Sequence, residues 1–96
     1  ERRRQAAAIR VQGDVAGAQR LLLDAVADRC GDDVRAIDTT ALPAVLVSRG
    51  LSTAIASAVA EAIVDVEAAR YAPTSDTQAI GRVLDLVATI DAGATL

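Results

Sequence analysis

Three kinds of side chain in this sequence have a chemistry of their own: closely spaced carboxylates, one thiol and one phenol. The carboxylates pair as Asp24/Asp28, Asp32–Asp33 and Asp65/Glu67. Paired acids serve proton transfer or hold Mg²⁺ and Ca²⁺. Here they lack the company that such work requires. The chain contains no His and no Lys, and no acid pair sits in a calcium-loop pattern or beside a glycine-rich phosphate cradle. They read as solvated surface groups, Asp32–Asp33 in a loop and Asp24 and Asp28 on a helix face. Arg20, four residues before Asp24, is the ion-pair partner expected there. The expectation is a non-enzymatic chain with no catalytic, cofactor-binding or metal-ligating residues.

Cys30 is the single thiol, so no disulfide forms within the chain. At the end of a helix a thiolate is disfavoured, and the residue reads as a small buried hydrophobe. Tyr71 is the only aromatic. It sits in the run Glu67–Pro73, E-A-A-R-Y-A-P, where Arg70 suits the negative end of a helix dipole. Tyr71 is expected to plug the core, its ring over Ala neighbours and its hydroxyl on a polar partner, with an exposed contact as the alternative.

Net charge is −3, and setting aside residues 1–4 leaves 12 acids against 7 arginines, a net of −5. Such a body repels phosphate backbones. The segment around Arg49–Gly50–Leu51 has a helix-turn-helix outline. Its would-be recognition helix offers Thr53, Ala54, Ser57 and Glu61 and no basic group before Arg70, so no nucleic-acid partner is expected. Arg2, Arg3 and Arg4 form the one basic cluster. It reads either as a membrane-proximal patch for anionic lipid headgroups or as a solvated helix start.

The elements that position these groups are all helical. Ninety-six residues, 52% apolar and rich in Ala, make one domain over 1–96 with a thin, closely packed core. The periodicity predicts an all-α bundle of four to five helices, the first two an antiparallel hairpin. Residues 2–12 form the first helix. Asp14 caps the second, Val15–Cys30, which Gly31 ends. Gly31–Asp38 is an acidic connection anchored by Val34 and Ile37. Thr39 or Thr40 caps a short helix running to about Arg49, with Pro43 in its first turn and Leu42, Val45 and Leu46 facing inward. Ser52–Tyr71 is expected as the central helix, its stripe Ile55, Val59, Ile63 and Val66 covered by its neighbours, and Pro73 stops it. Ser75 and Gln78 match a capping box for the last helix, about Asp76–Ala92, with stripe Ile80, Val83, Leu84, Val87 and Ile90 and Gly93 as its end. No strand alternation and no membrane-spanning apolar run occurs. The abrupt opening on E-R-R-R reads as a piece of a longer protein or a trimmed terminus.

E-A-A-R-Y-A-P closing an amphipathic helix resembles the end of the C-terminal helical region of the oxygen-tolerance (BatD) family of bacterial membrane proteins. Gly13–Ala18 leading into Leu21–Leu23 and Ala27–Arg29 resembles that family's G-D-x-x-x-A helix after a basic start. Thr39–Leu42 and Arg49–Leu51 resemble its T-x-x-x-L helix and R-G-hydrophobic turn. The likeness runs from Arg2 to about Ile90, and departs in having no Trp or Phe in the second helix. The resemblance implies a parent protein with extracytoplasmic β-sandwich domains, one membrane span upstream of this chain, and this domain on the cytoplasmic face of the inner membrane. Arg2–Arg4 would lie just inside the membrane, and Glu67, Arg70, Tyr71 and Pro73 carry the family-like motif. The implied role is an adaptor in an aerotolerance or envelope-stress complex, with a MoxR-type AAA+ ATPase or a von Willebrand factor A-domain (VWA) protein as partner. The alternatives are a TPR-like helical-repeat fragment of an unrelated regulator and, from another class, a small metal-binding or enzymatic domain.

Overall fold

The structure, a computed structural model, describes residues 2–71 and 77–92. Its elements in order are α1 (Arg2–Gln12), α2 (Val15–Cys30), a 3₁₀ turn (Asp32–Ala36), α3 (Leu42–Ser48), α4 (Thr53–Arg70) and α5 (Thr77–Asp91). Among the described residues all regular structure is helical, as the periodicity predicts. The expected stop at Pro73, the Ser75 half of the capping box and Gly93 as a helix end lie outside the described residues.

Local chemistry explains most of the boundaries. Asp14 Oδ1 accepts the Gly17 N–H at 2.9 Å, which closes the start of α2. Ser52 Oγ accepts the Ile55 N–H at 3.2 Å and does the same for α4. Gly31, at φ 110°, takes a conformation that L side chains avoid, and its N–H returns to the Ala27 carbonyl at 2.8 Å. The cap of α3 differs from expectation. Thr40 Oγ1 donates instead to the Asp38 carboxylate at 2.8 Å, and Ala41 occupies the cap position. The Asp38 carbonyl accepts both the Ala41 and Leu42 N–H groups, so the backbone itself turns the chain into α3. The acidic connection folds further than its sequence implies. Its two expected anchors hold, with Val34 1% exposed and Ile37 packed at the edge of the core.

Helix directions follow from end-to-end contacts. Arg2 at the start of α1 meets Asp28 near the end of α2, so these two run antiparallel as a hairpin. Gln19 early in α2 meets Glu67 late in α4, and Asp65 of α4 meets Arg82 early in α5. The long helices therefore alternate in direction, and the 3₁₀ turn and α3 are inserted between α2 and α4.

The expectation that α4 forms the centre needs correction. α2 and α5 pack directly on each other, with α1 against one side of the pair and α4, backed by α3, against the other. Leu22 and Val26 of α2 and Ile80, Val83 and Ile90 of α5 are almost fully enclosed. α4 supplies Ala56, Val59, Ala62, Ile63 and Val66 to this pair, while Ile55 lies at the margin. Fully buried Ala18 and Ala56 are small enough for close helix approach, which suits a core without aromatic rings.

Candidate functional site

Tyr71 was the expected plug, and the structure overturns that placement: it is 81% exposed at the end of α4. The reason is angular. Ala69 takes the inward position of the last turn, and two residues on lies about 200° round the helix. Tyr71 therefore faces away from the core. Val64, 57% exposed, and Ala68 lie seven and three positions before it, on the same outward face. The 64–68–71 spacing is a second apolar stripe, visible in the sequence but hidden by the stronger inward one. Beside Val64 lies a shallow hollow of about 320 Å³, lined by Thr39, Ala60, Glu61 and Asp65.

The other residues of the E-A-A-R-Y run brace this corner. Gln19 Nε2 donates to Glu67 Oε1 at 2.6 Å, and Arg70 Nη1 donates to Gln19 Oε1 at 3.1 Å. Arg70 also stands 3.9 Å from Glu67, a loose ion pair. Glu67, Arg70 and Gln19 thus tie the end of α4 to α2 and leave Tyr71 outside the network. Pro73 lies outside the described residues.

The basic cluster divides. Arg2 Nε and Nη2 donate to the two oxygens of Asp91 at 2.7 and 2.8 Å, while Nη1 donates to Asp28 at 2.5 Å. These bonds, to Asp91 foremost and then to Asp28, raise the Arg2 pKa above its ordinary value. Its guanidinium is committed to the bundle. Arg3 lines a groove of about 560 Å³ between α1 and α5, and Arg4 is exposed. Arg3 and Arg4 are exposed, whereas Arg2 is half-buried.

The acids are more engaged than solvated loop groups would be. Asp24 pairs with Arg35 at 2.8 Å rather than with Arg20, because the 3₁₀ turn brings Arg35 back over α2. Arg35 also reaches Asp32 at 3.3 Å. Asp33 forms a two-pronged pair with Arg49, Nη1 to Oδ1 at 2.6 Å and Nη2 to Oδ2 at 2.7 Å. Arg49 Nη1 donates as well to the Cys30 carbonyl at 2.7 Å, so it closes the end of α2 and holds α3 to the 3₁₀ turn. The Arg49 hydrogen bonds hold the Asp33 carboxyl below its usual range. Arg49 is a structural residue that sequence reading missed, since its partner lies sixteen positions away.

Cys30 is 7% exposed, and burial pushes its thiol pKa up against smaller opposing pulls from Arg49 and Arg29. It packs as a hydrophobe. Among the described residues no polar or charged side chain is buried, and no three His, Cys, Asp or Glu are grouped to hold a metal ion. No described helix is long and apolar enough to cross a membrane. No family model matches the chain, and neither a curated protein nor a solved structure is detectably similar to it.

Proposed function

We propose that the chain is a non-enzymatic protein-interaction domain whose contact surface is the outward face of α4, with Tyr71 as its anchor. One observation carries this reading. The only aromatic of an aliphatic domain stands in solvent, at the end of a stripe shared with Val64 and Ala68. Tyrosine is a favoured anchor of protein interfaces because it offers large rigid area at low entropic cost. The Gln19–Glu67–Arg70 bonds hold the helix end that presents it, which reduces the ordering cost of binding.

The resemblance to the oxygen-tolerance family supplies a setting for this reading. In that setting the domain is the cytoplasmic tail of a longer, membrane-anchored chain at the inner membrane. Arg3 and Arg4 face the headgroups, and a MoxR-type AAA+ ATPase or a VWA-domain protein is the partner. The helical-repeat alternative has no observation of its own in the packing. Neither has the metal-binding or enzymatic alternative, since each member of the acid pairs Asp24/Asp28, Asp32–Asp33 and Asp65/Glu67 stands beside an arginine.

The test is capture of the purified ATPase or VWA protein by the immobilised domain, comparing wild type with a Val64→Ser/Tyr71→Ala double variant. The expected result is capture by the wild type and its loss in the variant, with unchanged far-ultraviolet circular dichroism. Capture of neither protein removes the family setting. Capture that survives the double variant removes the α4 face as the contact surface.

A further inference from the structure

We propose that α1 is an electrostatically latched strap, which opens as a unit from the α2–α5 pair while the rest of the bundle stays folded. Its hold on the core is slight. Ile9 is its only buried residue, and Val11 points almost wholly into solvent. The seat beneath it is unevenly filled: Ile9 nests where Gly17 has no side chain, yet a groove remains between Ala6 and the α5 residues Leu84, Val87 and Ala88.

What fastens α1 is charge. Arg2 clamps its first turn to Asp28 of α2 and Asp91 of α5, and Arg10 near its end stands 3.7 Å from Asp85. Asp28 and Asp85 are largely exposed, so these pairs are weak individually and screened by salt. The Arg2 clamp is the strongest, because it is bidentate to Asp91 and its own side chain is 28% exposed.

The hinge lies in the right place for independent opening. Gly13, at φ 65°, turns the chain just before Asp14. The Asp14 side chain accepts from Gly17, inside α2, so the start of α2 remains closed when α1 departs; the Asp14 N–H bond to the Ile9 carbonyl, at 3.2 Å, crosses the hinge and breaks on opening. An isolated helix of 11 residues does not persist in water, so the opened strap unravels. Opening uncovers Gly17, Leu21, Leu84 and Val87, an apolar seat that the closed form hides. This device is separate from the α4 face and does not depend on it.

Native-state amide hydrogen exchange on the whole chain tests the strap. The comparison is wild type at low and high NaCl, Arg2→Gln, and Arg82→Gln as a control pair outside α1. At low salt the α1 amides should be protected, though less than those of α2 and α5. Raising the salt, or Arg2→Gln, should speed α1 exchange about tenfold and leave α2 and α5 in step with each other. Arg82→Gln should leave α1 unchanged. The high-salt measurement stands by itself if Arg2→Gln does not fold. The proposal is overturned if α1 exchanges only with global unfolding, if it is unprotected at low salt, or if salt does not alter it.

Discussion

Tyr71 and Leu22 mark the two extremes of what a side chain does in this molecule. Tyr71→Ala removes a ring that touches little, and its stability cost should stay within about 0.5 kcal/mol in urea denaturation. Leu22→Ala empties a fully enclosed site between α2 and its neighbours and should cost about 2–5 kcal/mol. That is a large part of the roughly 5–15 kcal/mol that folds a domain. Arg49 and Asp33 give a pH-dependent case. The folded-state pKa of Asp33 is lowered, so the pair's contribution is complete above the unfolded value of about 3.9 and is lost as pH falls through the lowered one. Asp33→Asn should therefore lower the melting temperature at neutral pH, and its difference from wild type should shrink as the pH is taken well below 4. A difference that persists undiminished in acid would refute the pair's role. Cys30, buried with its thiol pKa raised, should react with a thiol reagent far more slowly in the native chain than in denaturant.

Element boundaries were readable wherever the cause was local. Asp14 and Ser52 announce their helices because a short polar side chain bonds to an N–H three residues ahead, with no help from the rest of the fold. Asp14→Ala should cost about 1 kcal/mol, measured by thermal denaturation, through the start of α2. Asp32–Ala36 was not readable as a helix, since five residues carry no period. Its order comes from Val34 in the core, from its own Arg35 reaching out to Asp24 of α2, and from Arg49 reaching in to Asp33. Thr39 and Thr40 failed as caps because the Asp38 carbonyl had already turned the chain. The partners of Arg2, Arg35 and Arg49 were equally hidden. Arg20, expected beside Asp24 from helical spacing, lost to an arginine brought in by tertiary packing.

For the whole molecule, fold class followed from the 3.6-residue stripes, but the layering did not. α2, α4 and α5 each present an adequate apolar face, and only their pairing puts α2 and α5 in the middle. That layering leaves one face of α4 outermost, which is why a sequence reading that buried α4 also buried Tyr71. The expectation of a non-enzymatic chain rests on the sequence, which has no His or Lys, and the structure adds that Asp32 and Asp33 of the inserted turn pair with Arg35 and Arg49. The partner remains the centre of the account. Its most direct test is a backbone-amide NMR titration of the labelled domain with the purified MoxR-type ATPase or VWA protein. The interaction reading predicts saturable shifts or broadening centred on Val64, Ala68 and Tyr71, with α1 and the inward face of α2 unmoved. Perturbations that avoid this stripe, or none with either protein at high concentration, would contradict it.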